Sequence, residues 1–121
     1  MEIDSDKTLH HNRGATGTIK LNKKSGNFNV GDTLKFSIVE KGNYNNVIFQ
    51  KSFEVTEESS SFYLNFTSEE MRIGEIISKE KEYWYEVKLN DKIPIIAYDK
   101  EKAKKFILYP EAPNKNKGGE Q

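Results

Sequence analysis

The chain has 121 residues, 35% of them apolar, with 19 basic and 19 acidic side chains and no cysteine. That length fits one domain, and the cancelled charge removes the global field that would draw in nucleic acid or an anionic membrane, so neither is expected as a partner. The missing cysteine excludes disulfides, thiolate catalysis and a cysteine-ligated zinc site.

Residues 1–13 are polar, carry His10-His11, and read as a flexible arm. They lack the basic start and apolar stretch of a secretory signal, and no apolar run approaches the ~20 residues of a spanning helix. The expected site of synthesis is therefore the cytoplasm. From residue 14 onward the apolar residues recur at every second position, the period of a strand with one buried face. The apolar set is rich in aromatics, with 7 Phe, 6 Tyr and 1 Trp, which suits a thin core between two sheets.

Residues 16–21 form the first expected strand, with Ile19 and Leu21 on one face. Phe28 and Val30 lead into the turn pair Gly31-Asp32. The second strand, 33–40, turns Leu34, Phe36 and Ile38 inward. A longer hairpin loop is expected over 41–46, and a third strand over 47–55 with Val47, Phe49, Phe53 and Val55 inward. Lys51 interrupts that face, which predicts an edge position or a bulge. The fourth strand, 61–67, turns Phe62, Leu64 and Phe66 inward.

Ser68-Glu69-Glu70-Met71 has the cap and acidic first turn of a helix. Gly74 stops it within two turns, leaving Met71 and Ile73 to plug the core. The fifth strand, 81–89, alternates Tyr83, Tyr85, Val87 and Leu89 inward. Asn90-Asp91 is a tight hairpin signal. The sixth strand, 93–98, carries Pro94 and so belongs at an edge. The seventh, 104–109, stops at Pro110. Residues 111–121 have no periodicity and read as a disordered tail. The domain is thus expected over 14–110. The expected fold is all-β: an antiparallel immunoglobulin-like β-sandwich of about seven strands with one short helical turn. A barrel is the second choice.

Few residue groups suggest chemistry. His10 and His11 are neighbours on a strand or arm, so they point apart and chelate poorly; no metal and no cofactor is expected. Glu57-Glu58 and Glu69-Glu70 sit in a turn and a helix cap, where acids are structurally favoured, so no catalytic carboxylate pair is expected. Asn65-Phe66-Thr67 matches a glycosylation acceptor, but Phe66 belongs to the core. Arg13-Gly14-Ala15-Thr16-Gly17 lacks the ending of a phosphate loop. The basic stretch 100–105 has no interleaved aromatics and reads as a solvated turn. Trp84 alone stands out. It faces away from Tyr83 and Tyr85, and is either covered by an arm or loop, or is a contact for a sugar or a partner protein. Tyr85, after the Gly74 turn, is placed to tie down the loop before it, as in a tyrosine corner.

One resemblance rests on Gly31-Asp32-Thr33-Leu34-Lys35-Phe36, on residues 62–74, on Tyr83-Trp84-Tyr85-Glu86-Val87-Lys88-Leu89, on residues 95–99 and on residues 106–111. In this order the chain resembles small β-sandwich proteins of phage and prophage tails and baseplates from Gram-positive hosts. In particular it resembles the N-terminal domain of upper baseplate proteins. The resemblance implies a non-enzymatic structural or adaptor protein that contacts copies of itself or other tail proteins and ends in the virion. A carbohydrate-binding module using Trp84 and nearby tyrosines is the alternative.

Overall fold

The computed structural model describes residues 1–96 and 104–112. Nine strands follow one another in the chain: β1 (Glu2–Ile3), β2 (Leu9–Asn12), β3 (Gly17–Asn22), β4 (Thr33–Glu40), β5 (Asn43–Glu54), β6 (Ser61–Phe66), β7 (Lys81–Leu89), β8 (Ile93–Ile96) and β9 (Lys104–Tyr109). Seven of them form one sheet in the order β1-β2-β9-β7-β4-β5, with β8 beside the second half of β7. β3 and β6 pair antiparallel as a second sheet, Ile19 facing Leu64 and Leu21 facing Phe62. The fold is therefore all-β and sandwich-like.

The core lies between the sheets, because alternate residues of every central strand are apolar. Phe36 occupies its centre. Its ring lies 4.8 Å from that of Phe66 across the two layers, and 5.8 Å from Tyr85 and 6.5 Å from Phe106 within the large sheet. Leu64, Val87, Met71 and Ile73 are buried with it, and Phe62 is half-buried at the margin.

Three expectations are corrected. The N-terminal arm is part of the sheet: β1 pairs with β2, and β2 pairs with β9. Leu9 is buried there among the core residues, and a strand with only one apolar residue gave no periodic signal of its own. The β2–β9 pair is parallel, so the large sheet is mixed rather than antiparallel. The strands among the described residues number nine rather than seven. Residues 67–72 make a single turn and no helix: Met71 N–H bonds the carbonyls of Thr67 and Ser68, and Arg72 N–H that of Glu69, as overlapping turns. The Glu70 carboxylate takes the Thr67 N–H while the Thr67 hydroxyl takes the Glu70 N–H, the reciprocal cap of a helix start, and the Lys51 ammonium joins that carboxylate; the segment ends at Gly74, which has a φ of 65°.

The 41–46 loop is shorter than expected. Gly42, at a φ of 79°, makes the turn, and β5 begins at Asn43. β5 slips against β4 between Ile38 and Glu40, leaving residues 44–46 and 48 out of register, and Val47, expected inward, is exposed. Lys51 does lie on an edge strand, although the register shifts fall nearer the hairpin. Its ammonium reaches across to the Asn65 carbonyl of β6 at 2.9 Å and lies 4.9 Å from the Phe53 ring centre. Asn90 and Asp91 both have positive φ and turn β7 into β8, as expected. Residues 97 and 98 of the expected sixth strand, and 113–121 of the expected tail, lie outside the described residues.

Two polar side chains are buried to join the N-terminal strand to the rest. His11 Nε2 bonds the Ala15 carbonyl at 2.8 Å. The Arg13 guanidinium donates to the carbonyls of Ile73 (3.1 Å), Gly74 (2.9 Å) and Arg72 (3.4 Å), and to Glu111 (3.4 Å). That fork satisfies carbonyls which the turn after Met71 leaves without strand partners.

Candidate functional site

Trp84 is the one contact residue that the sequence singles out. β7 places it on the outer face of the large sheet, because Tyr83 and Tyr85 on either side fill the core at 1% exposure. Across the sheet it stands opposite Lys105 on β9 and Val39 on β4. The indole is half-buried, and its Nε1 donates to Glu82 at 3.4 Å.

Trp84 lines an open groove of about 680 Å³ together with Asp6, Thr8, Lys41, Glu82, Lys104 and Lys105. Three parts of the chain build its walls. Asp6 and Thr8 come from the link between β1 and β2, Lys41 from the β4–β5 turn, and Lys104 and Lys105 from the start of β9. The link is fixed from below. Tyr85, whose hydroxyl burial pushes well above the ordinary value, donates to the Lys7 carbonyl at 2.6 Å. Lys7 itself sits at a φ of 72°. Tyr85 therefore ties down the link between β1 and β2, not the loop before β7. It is the Tyr83 hydroxyl that stands against Gly74, where an added Cβ would lie 2.5 Å from it.

The groove holds charges of both signs. The Asp6 carboxyl is held below its ordinary value, first by the Thr8 N–H it accepts at 3.0 Å. Glu82 accepts from Trp84 and faces Lys41 at 3.6 Å. Lys104 and Lys105 make no ion pair within 4.0 Å among the described residues. Sequence reasoning found the floor of this groove but not its walls. Asp6 and Thr8 belonged to the expected arm, and Lys104 and Lys105 to a stretch read as a solvated turn.

The other candidates are plainer. His10 bonds Tyr109 hydroxyl at 2.8 Å through Nδ1 and Asp4 at 2.9 Å through Nε2, joining the β1–β2 link, β2 and β9. His11 points to the opposite face, as adjacent strand residues must, and among the described residues no three His, Asp or Glu side chains cluster as metal ligands. Glu57-Glu58 and Glu69-Glu70 do not converge on a shared cleft: Glu58 accepts from Asn27, and Glu70 from Thr67 and Lys51. No helix among the described residues is long and apolar enough to cross a membrane.

The outer edge of β5 is the longest strand edge among the described residues that pairs with no other strand. Its first half exposes Tyr44 (37%) and Val47 (48%). Tyr44 bonds Glu86 of β7 across the outer face. Comparison with protein-family models and with curated proteins finds no match to either.

Proposed function

We propose that this protein is a non-enzymatic assembly module that works by protein–protein contact, as the resemblance to phage baseplate domains implies. We read its fold as immunoglobulin-like. In that reading β9, β7, β4 and β5 take the places of the G, F, C and C′ strands, β3 and β6 those of B and E, and β2 is added beside β9. The observation that carries the functional reading is the outer edge of β5. A strand edge presents unpaired N–H and C=O groups, and proteins whose edges must stay unpaired guard them with charge, proline or bulges. The second half of β5 is guarded by Lys51, which closes toward β6. The first half, with Asn43, Tyr44, Asn45, Asn46 and Val47, has no charge and no proline, and its one irregularity is the register shift against β4. That stretch suits addition of a strand from a second copy or from a neighbouring tail protein.

Sedimentation velocity over a concentration series tests this. The protein is expected to associate, and Val47→Lys combined with Asn45→Pro is expected to leave it monomeric with an unchanged circular-dichroism spectrum. A wild-type chain that stays monomeric at the highest concentration removes self-assembly through this edge.

The alternative, a carbohydrate-binding module, is favoured by a separate observation: a half-buried indole lines a groove whose other lining side chains, among the described residues, are polar. An indole beside hydrogen-bonding groups is the pairing that a sugar ring needs.

A further inference from the structure

We propose that Tyr109 is an acyl-acceptor site: its hydroxyl is a nucleophile, activated by His10 and positioned through Asp4, that takes the acyl group of a neutral carboxylic ester. The inference depends on neither of the two readings above, since it uses neither the β5 edge nor Trp84.

Three side chains form a line where β2, β9 and the β1–β2 link meet. The Asp4 carboxylate lies 2.9 Å from His10 Nε2, and His10 Nδ1 lies 2.8 Å from the Tyr109 hydroxyl. A carboxylate only accepts, so the neutral imidazole keeps its proton on Nε2 and donates it to Asp4. Nδ1 is then bare and can only accept. The Tyr109 hydroxyl therefore points its proton at a base. This order of carboxylate, imidazole and hydroxyl is the one that activates a serine in acyl transfer, with a phenol in the last place. Among the described residues no other tyrosine bonds a histidine. His11, the second of the two histidines in the chain, points the other way and bonds the Ala15 carbonyl.

The fold holds this line in place. Leu108 and His11 are buried, so Tyr109 and His10 beside them face outward. The parallel register of β2 and β9 sets Asn12 beside Tyr109 and His10 beside Ile107, which brings the two rings nearly parallel with centres 6.0 Å apart. Asp4 is held by the turn of the link, where its N–H bonds the Thr8 carbonyl and its carbonyl takes the Lys7 N–H. His10 and Tyr109 line an open cleft of about 390 Å³, together with Glu2 and Thr16 among its other described residues. That cleft gives a small ester access to the hydroxyl. Charge selects the electrophile. Besides Asp4, Glu2 stands directly opposite His10 across the β1–β2 pair. Two carboxylates beside the base repel an anionic phosphate ester and leave a neutral carbon ester as the donor.

The step balances within these groups. Tyr109 Oη attacks the ester carbonyl carbon while its proton passes to His10 Nδ1, and Asp4 stabilises the imidazolium. The ester C–O bond breaks, and the leaving oxygen takes the proton back from Nδ1. The products are an acyl-tyrosine and an alcohol, with the imidazole returned to its first state.

Treatment of the full chain with p-nitrophenyl acetate, quenched at intervals and mapped by mass spectrometry, tests this. Tyr63 is the internal control, since it is 52% exposed and bonds no histidine. Tyr109 is expected to be acetylated at least about tenfold faster than Tyr63. His10→Gln keeps an acceptor for the hydroxyl but no base, and is expected to slow Tyr109 to the rate of Tyr63. Asp4→Asn replaces a side chain that is 53% exposed, so the variant is expected to fold. It no longer fixes the tautomer, and is expected to slow Tyr109 while leaving Tyr63 unchanged. p-Nitrophenyl phosphate is expected to leave Tyr109 unmodified. Equal rates at Tyr109 and Tyr63 would overturn the activation. A Tyr109 rate unaltered in His10→Gln would overturn His10 as its base, and one unaltered in Asp4→Asn would overturn the part given to Asp4. Transfer of phosphate to Tyr109 would overturn the choice of an acyl group.

Discussion

His11 shows how far a residue's role depends on what the fold brings to it. In the sequence it is half of a polar pair in an arm. In the structure it is buried, 5% exposed, with Nε2 bonded to the Ala15 carbonyl. Desolvation holds its pKa below the ordinary value of 6.5, and the nearby N-terminal ammonium acts in the same direction. The unfolded chain therefore binds a proton that the folded chain refuses. The His11 contribution to stability is fully present above about pH 6.5 and is lost as the pH falls below it. Urea midpoints of the wild type and of His11→Gln, measured from pH 7.5 down to pH 5, check this. The wild-type midpoint is expected to fall more steeply than that of the variant, whose amide keeps a donor for Ala15 but cannot titrate. Parallel curves would place the acid sensitivity elsewhere. Trp84 is the opposite case. Its outward direction was legible from parity alone, since Tyr83 and Tyr85 must face the core. The lysines and Asp6 around it were not, because they reach the groove from three separated parts of the chain.

At the scale of elements, the strands with strict alternation were legible nearly to the residue. β4, β7 and β9 run over the expected 33–40, 81–89 and 104–109. Their inward faces are those that period-2 patterning assigns. β2 was not legible, because Leu9-His10-His11-Asn12 contains one apolar residue. Its strand character comes from parallel pairing with β9, nearly a hundred positions away, and such pairing leaves no local signature. The turn at residues 68–72 misled for a related reason. Its cap chemistry is that of a helix start, and Thr67 and Glu70 do cap each other, but the carbonyls of Arg72, Ile73 and Gly74 go to the distant Arg13 instead of to a following turn. The N-terminal strand makes a direct test possible. Leu9 is fully buried, whereas Ile3, on β1, is 42% exposed. Leu9→Ala is expected to cost about 2–5 kcal/mol, the range for a core leucine, and Ile3→Ala less than about 0.5 kcal/mol. Chemical denaturation separates the two. Equal, small effects would mean that β2 contributes nothing to the core.

At the scale of the molecule, the question is what makes two unequal sheets one structure. A two-stranded sheet such as β3–β6 is at best marginally stable alone, so its folding depends on burial against the larger sheet. Phe36 and Phe66 carry that dependence, since their rings meet at 4.8 Å across the layers. Phe66 also packs edge-on to Phe53 at 5.6 Å, and both rings lie under the Lys51 ammonium that reaches from β5 to β6. Removing either ring is expected to cost about 3–5 kcal/mol. The two losses should not add. Once Phe36 is alanine, Phe66 has already lost its main partner in the facing sheet, so the coupling in a double-mutant cycle is expected to be about 0.5–3 kcal/mol. The cycle is measured best with two probes. Trp84 emission follows the outer face of the large sheet, and amide exchange of Ile19 and Leu64 follows the small one. Both are expected to lose their folded signal at the same urea concentration in the wild type and in Phe66→Ala. A small sheet that opens well before the Trp84 signal changes would mean that the layers are separable units, and that the aromatic contacts between them hold far less than their burial implies.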